Sequence, residues 1–403
     1  MVMTLFDAAT LARARALFPY LETGRIYGNH AATSPYSTRV VAALHRHIES
    51  RSTGDIDTYW TDIKMIDGLR ESVRAIINAE GIDRIAFTGN TTDAINVIAS
   101  GLAWQPGDRV VLNDAEFPAN LYPYLNLKRL GVELDLLHAA AGVVTVEDIA
   151  RALTPKTQLV GLSAVQFLSG YRADLEAIGR LCRDRGVLFI VDGIQSVGAV
   201  HTDVQAMHID ALAAGAQKWQ MATQGAGFLY LTAALQERIH QSHLGWLSVE
   251  NPWNFRDLDQ PLAATARRYE GGSLYMSCLH AMNASLGTLL EFGIGPIEHH
   301  LAGLTEILLA EFAAVPGIEA LTPRATGRRA GIVTIRTSRP EASKALYDEL
   351  RRRNIIAAVR EGCVRFSPHF YNSPEDMHTV AAAVRDIAQK LAAAGTGAKT
   401  GSA

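Results

Sequence analysis

The chain has 403 residues, 48% of them hydrophobic and 20% charged, with a formal net charge of −3. This is the composition of a soluble globular protein with apolar material for a large core and two domains, and it excludes a disordered chain. The slight acidic excess provides no basic surface to draw the protein onto nucleic acid or anionic membrane, so small molecules and further copies of the chain are the expected partners.

The opening residues, MVMTLFDAATLARARALF, are interrupted by Asp7, Arg13 and Arg15 and read as an amphipathic helix, not a targeting signal. No stretch reaches the roughly 18 apolar residues a membrane span needs. Apolar runs then alternate with helical patterns: 84–88, 109–113, 132–137, 158–163, 187–192, 210–215 and 227–231. Runs without in/out alternation suit parallel strands covered on both faces, with the helical segments as crossovers. The stretch 174–185 carries a helix signature, with Asp174 to cap it, Leu175, Ile178 and Leu181 as its apolar stripe, and Gly186 beyond its end. From Leu274 two long helices (274–293 and 297–314), the strands GIVTIRT and CVRFS and a final helix from Pro374 read as a smaller α+β domain. The Gly/Ala/Thr-rich tail reads as disordered.

The three cysteines, Cys182, Cys278 and Cys363, lie far apart without CxxC spacing. That argues against a disulfide framework or a zinc knuckle and fits a reducing cytoplasm. His299-His300 and His45-Arg46-His47 lack further ligands at metal spacing and read as helix-surface histidines. Trp246 and Trp253 lie in an irregular stretch and read either as the mouth of a substrate site or as plain packing.

Asp192 ends a buried strand, where open α/β sheets place their ligand crevice. Singly it reads as a cap or a paired structural carboxylate; a protonated pyridine nitrogen is another suitable partner. Gln195, one turn on, is placed to donate to a phenolic oxygen of the same ring. Lys218 follows the next buried run. Singly it reads as a solvated lysine, but desolvation there would supply a free amine for imine formation. Together on neighbouring strands, the two point to a cofactor site. The segment TGNTTDAIN follows a strand and opens a helix, so backbone N–H groups at Asn90 to Asp93 and the Thr91 and Thr92 hydroxyls face a phosphate, or Thr91 or Thr92 simply caps the helix.

The ordered set TGNTTDAIN, NDAEFPANLYPY, VDGIQSVGA, AGAQKW, QGAGFLYL, YEGGS and VRFSPHFYN resembles the class V aminotransferase family of fold-type I pyridoxal-phosphate enzymes, in its cysteine desulfurase and isopenicillin N epimerase branch. The resemblance covers about residues 25–390. It implies an α/β fold with a mainly parallel seven-stranded sheet in a large domain, a smaller C-terminal α+β domain, and a homodimer with active sites at the interface. The domains are then 1–30 (N-terminal segment), 31–273 (large, cofactor-binding), 274–392 (small) and 393–403 (disordered tail). Carried over position by position, Lys218 forms the Schiff base with pyridoxal 5'-phosphate, Asp192 pairs with its ring nitrogen and Gln195 neighbours its phenolic oxygen. Phe117 stacks on the ring, Thr91, Thr92, Gln217 and Ser273 serve the phosphate, and Asn29, His30 and Arg365 line the substrate end, with Arg365 on the α-carboxylate.

The pattern also departs from the family. Phe117 stands where desulfurases stack a histidine, Gln217 replaces the histidine before the lysine, and Gln166 or Phe167 occupies the slot of the usual asparagine near the phenolic oxygen. Cys363 lies two residues before Arg365 at the start of a strand, too close for a mobile sulfur-carrying loop, and reads as a packed small side chain. The expected function is a cofactor-dependent enzyme in which an amino-acid substrate displaces Lys218 and the freed lysine moves the α-proton. A carbon–sulfur lyase or related β-eliminating activity comes first, an aminotransferase or an epimerase next, and a non-catalytic scaffold of the same fold last.

Overall fold

The structure, a computed structural model, describes residues 4–338 and 340–397. In chain order, α1 (Ala8–Ala16) and β1 (Ile26–Tyr27) precede the helices α2 (Thr38–Thr53) and α3 (Tyr59–Ile77). Then come β2 (Ile85–Thr88), α4 (Thr91–Gly101), β3 (Arg109–Asn113), α5 (Tyr122–Leu125), β4 (Glu133–Leu137), α6 (Val146–Ala152), β5 (Thr157–Ser163), α7 (Leu175–Asp184) and β6 (Leu188–Asp192). Next are β7 (Ala211–Gly215), β8 (Gly227–Leu231), α8 (Ala233–Arg238) and α9 (Met276–Phe292). The chain finishes with α10 (Ile294–Ala313), β9 (Ile318–Ala320), β10 (Val333–Thr337), α11 (Pro340–Arg352), β11 (Ile355–Ile356), β12 (Ala358–Arg360), β13 (Cys363–Phe366) and α12 (Pro374–Gly397). Of the tail expected to be disordered, residues 398–403 lie outside the described residues. Among the described residues no helix is long and apolar enough to cross a membrane.

The chain divides into two compact units, one of Arg39–Gln166 and Ala173–Ile294, the other of Met1–Thr38, Phe167–Arg172 and Gly295–Ala403. In the first, the seven expected strands form one sheet in the order β2-β8-β7-β6-β5-β3-β4. Only β8 runs against its neighbours, and the other pairs are parallel. Strands β6, β7 and β8 are buried along their whole length, which is why they read as unbroken apolar runs. Helix α4 packs Ala94, Ile95, Ile98 and Ala99 into a core shared with Leu112, Leu159, Ile190 and Leu229. Asp174 caps α7 by accepting the Ala177 N–H at 3.2 Å, and Gly186 takes the left-handed φ of 66° beyond its end.

The second unit holds an antiparallel sheet in the order β12-β13-β10-β9 and a parallel pair of β1 with β11. Segment 167–172 is stitched to β10 and its approach: Ala330 N–H donates to Gly170 O at 3.1 Å and Arg172 pairs with Glu298 at 2.6 Å. Gly170 has a φ of 72°, and a Cβ there would stand 2.6 Å from Ile332 O, so only glycine fits. His300 corrects the reading of His299-His300 as surface residues: it is fully buried, stacks on Phe6, accepts Phe6 N–H at Nδ1 and therefore donates from Nε2 to Asn372 O at 2.9 Å.

Candidate active site

Strand register gathers the polar residues of the first unit along one edge of its sheet. Ser163 at the end of β5 pairs with Asp192 at the end of β6, Asp192 with Ala213 of β7, and Gly215 and Thr88 both with Gly227. The segments that leave this edge carry Thr91 and Thr92, Glu116 and Phe117, Gln166, Asp192 to Gln195, and Gln217 with Lys218.

Asp192 is 2% exposed. It accepts Ile194 N–H at 2.9 Å and forms no salt bridge with the described residues. Burial, opposed by that hydrogen bond and reinforced by the nearby Glu116 charge, pushes its carboxyl up to about 7, while Lys218 pulls the other way. Lys218 sits in the tight β7–β8 connection. Ala216 and Ala226 close this connection (N–H to O, 2.9 Å), and the Lys218 carbonyl accepts Met221 N–H at 3.0 Å. Its Nζ lies 5.4 Å from the centre of the ring of Phe117, a residue 43% exposed.

At the start of α4 the cap is Asn90, not Thr91 or Thr92: its side chain accepts Asp93 N–H at 2.9 Å. Thr91 and Thr92 thus become the first two helical residues, whose N–H groups have no intrahelical partner. The Thr91 hydroxyl accepts Gly215 N–H at 2.9 Å, leaving its own proton to donate elsewhere. A Cβ at residue 215 would come within 2.6 Å of Gln217 Oε1 and 3.3 Å of Thr91 Oγ1, so glycine there lets Thr91 and Gln217 converge.

The buried Trp219 donates its indole N–H to Gln195 Oε1 at 2.7 Å, which fixes the carboxamide with its NH2 end directed away from the indole. The sequence alone did not reveal the network around Glu116, which is 4% exposed. This carboxylate accepts Asn113 Nδ2 (2.7 Å), Ser163 N–H (2.8 Å), the Ser163 hydroxyl, Asn120 Nδ2 (3.1 Å) and Gln166 Nε2 (3.0 Å). Polar residues ending two buried strands, Asn113 and Ser163, were the available signal.

Ser273 follows β8 and belongs to the same unit as the Lys218 group. It lines a cavity of about 470 Å³ together with Thr88, Gly89, Asp93, His243 and Tyr275. Its loop is anchored by Glu270, which accepts Phe87 N–H at 2.9 Å and pairs with Arg70 at 2.7 Å. Trp246 and Trp253 join Tyr59, Trp60 and Phe255 in a largely exposed aromatic cluster of the same unit.

Asn29, His30 and Arg365 belong to the second unit. Arg365 is 1% exposed. Its Nη1 donates to Phe167 O at 2.6 Å; among the described residues its Nε has no hydrogen-bond partner and it forms no ion pair; burial and the Arg360 charge lower its pKa to about 9. Asn29 bridges Ser367 just beyond β13, and its buried Oδ1 also lacks a partner. His30 is wholly buried, donating from Nδ1 to Ser367 O and accepting the Tyr371 hydroxyl at Nε2, both at 2.9 Å. Cys363 opens β13, buried, with burial raising its thiol pKa. Among the described residues no group of three or more His, Cys, Asp or Glu is placed to hold a metal ion.

Residues 26–380 match the family described as aminotransferase class-V. An uncharacterized aminotransferase of Bacillus subtilis (strain 168) is 28% identical over 93% of this chain and 97% of its own length. A probable cysteine desulfurase of Methanothermobacter thermautotrophicus is also 28% identical, over 90% of this chain and 94% of its own. The crystal structure of the cysteine desulfurase CsdA from Escherichia coli superposes with a TM-score of 0.84 at 22% identity, over 96% of this chain and 100% of that one, a likeness of fold. The match along most of the chain places this protein in the class-V aminotransferase family of pyridoxal-phosphate-dependent enzymes.

Proposed function

We propose that this chain binds pyridoxal 5'-phosphate and acts on an amino-acid substrate, with β-elimination at a carbon–sulfur bond as its reaction. The Asp192 carboxylate carries the reading: it is buried, lifted in pKa and without a salt bridge, on the strand next to the one that leads to Lys218. A protonated ring nitrogen supplies the cation such a carboxylate lacks. The N–H groups of Thr91 and Thr92, the Thr91 hydroxyl and Gln217 suit a phosphate at a helix N-terminus. Phe117 offers the ring its face, and the NH2 end of Gln195 suits the phenolic oxygen. Ser273 we assign to the phosphate of a second copy, in a cytoplasmic homodimer.

The bound cofactor would supply an electron sink for negative charge at the substrate Cα. Lys218 Nζ anchors it and then moves the α-proton, while Asp192 holds the proton on the ring nitrogen. Arg365, a buried guanidinium without a counter-ion, binds the α-carboxylate. Asn29, bridged to Ser367 two residues beyond Arg365, offers a buried acceptor, and His30 holds its segment through Ser367 and Tyr371.

The probable desulfurase relative supports the elimination reading, and the aminotransferase relative supports transamination as the second. Borohydride reduction of purified protein should fix a cofactor adduct on Lys218, located by mass spectrometry, and Lys218→Ala should abolish it along with turnover. Wild-type protein that never takes up the cofactor would refute the reading. Incubation with a panel of amino acids then separates elimination (an oxo acid with ammonia) from transamination (an oxo acid with aminated cofactor) and epimerisation (the opposite enantiomer).

A further inference from the structure

The Glu116 network sets the direction of one side chain at the sheet edge. An ionised carboxylate only accepts hydrogen bonds, and Glu116 already takes five donors. Gln166 must therefore turn its NH2 toward Glu116, at 3.0 Å, and toward Asn113 Oδ1, at 3.4 Å. Asn113 is in turn held by donating to Glu116 and by accepting Ala115 N–H at 3.1 Å. Flipping the Gln166 amide would set its oxygen against two acceptors. Its Oε1 is left buried and without a partner, and a buried acceptor left unpaired costs stability until a donor arrives. Gln166 follows β5 three residues after Ser163, the register partner of Asp192, and Ala164 N–H donates to Asp192 O at 3.0 Å, so this acceptor belongs to the Asp192 end of the edge.

We infer that Gln166 meets the bound ligand only as a hydrogen-bond acceptor, held in that sense by Glu116 as a positioning residue, and so selects a ligand group bearing N–H or O–H. This rests on the cofactor reading above. Two donors have the right chemistry: the cofactor's ring hydroxyl in its protonated form, and the amino group of the substrate. A phenolate oxygen has not. The charged groups around the ring hydroxyl in this reading are Glu116, Asp192 and Lys218.

The test uses cofactor-loaded wild type, Gln166→Met and Glu116→Gln, each checked for folding by far-ultraviolet circular dichroism. It measures the pH midpoint of the cofactor's absorbance without substrate, and the dissociation constants of 2-methylalanine, which has no α-proton to lose, and of isobutyrate, which has no amine. An acceptor on the ring hydroxyl stabilises its protonated form, so with that donor the midpoint falls in Gln166→Met by roughly half a unit to one unit. With the amine as donor the midpoint stays, 2-methylalanine binds roughly three- to tenfold more weakly, and isobutyrate is unaffected. Glu116→Gln, which can donate and so releases the clamp, moves the same readout in the same direction. A midpoint that rises in Gln166→Met, or readouts that do not move in either variant, overturn the inference. Wild type that binds no cofactor overturns the underlying reading instead.

Discussion

Trp219 and Gln195, 24 residues apart, are joined by a hydrogen bond in which the indole N–H donates to the carboxamide oxygen over 2.7 Å. Both residues are buried, so the bond both stabilises the fold and fixes which end of the amide points away from the indole. Trp219→Phe removes the indole donor to the buried Gln195 oxygen and shrinks a fully buried ring. The expected cost is about 2–4 kcal/mol in urea unfolding, with cofactor affinity reduced at least severalfold in a spectroscopic titration. Unchanged affinity in a folded variant would remove the orienting role.

Asp192 gives the cofactor-free protein a pH dependence of definite sign. Its carboxyl titrates near 7 in the fold and near 4 in the unfolded chain, so between these values the folded state binds more protons and its stability falls as pH rises. Cofactor-free Asp192→Asn is expected to melt higher than wild type at pH 8, with the gap closing toward pH 4. Parallel melting curves for the two proteins across that range would contradict the assignment.

Arg365 is a buried cation with no counter-ion among the described residues, an arrangement that costs stability in the absence of ligand. Arg365→Met should leave the ligand-free protein as stable as wild type or more so. The same change should raise KM for α-amino acids roughly 10- to 100-fold, the worth of a charge-assisted hydrogen bond or two. A large loss of thermal stability with unaltered KM would mark Arg365 as structural.

Cys363 is the first residue of a buried strand. Cys363→Ala is expected to keep turnover within about twofold and to cost on the order of 1 kcal/mol, as for loss of a small buried group. Loss of carbon–sulfur cleavage in this variant, measured as sulfide release, would make Cys363 a sulfur carrier after all.

The sheet was legible because strands buried on both faces leave uninterrupted apolar runs, and Asp174 and Gly186 mark their helix by local chemistry alone. Contacts between distant residues were not legible. Thr91 was readable as a helix start, but its hydroxyl is engaged by Gly215, 124 residues away, and the cap itself fell to Asn90. Nothing in AEFPAN itself shows that Glu116 is enclosed by Ser163 and Gln166, 47 and 50 residues on. His300 shows no sign in its own helix of the carbonyl of Asn372 that it meets 72 residues later. Of the expected site residues, those from Thr91 to Lys218 gather on one sheet edge, Ser273 lines a cavity of the same unit, and Asn29, His30 and Arg365 sit in the other.

The make-up of that second unit bears on how the protein is made. Its β1 pairs Ile26 with Ile355, and its β10 receives segment 167–172 through the Thr334 hydroxyl and the Leu168 carbonyl. Strand β1 therefore has no strand partner until Ile355 and Ile356 have been synthesised, whereas the seven-stranded sheet is complete by Leu231. Contacts of such long sequence separation close late. A fragment beginning at Gly295 would lack both β1 and the 167–172 segment, so this unit cannot be excised as one continuous stretch of chain.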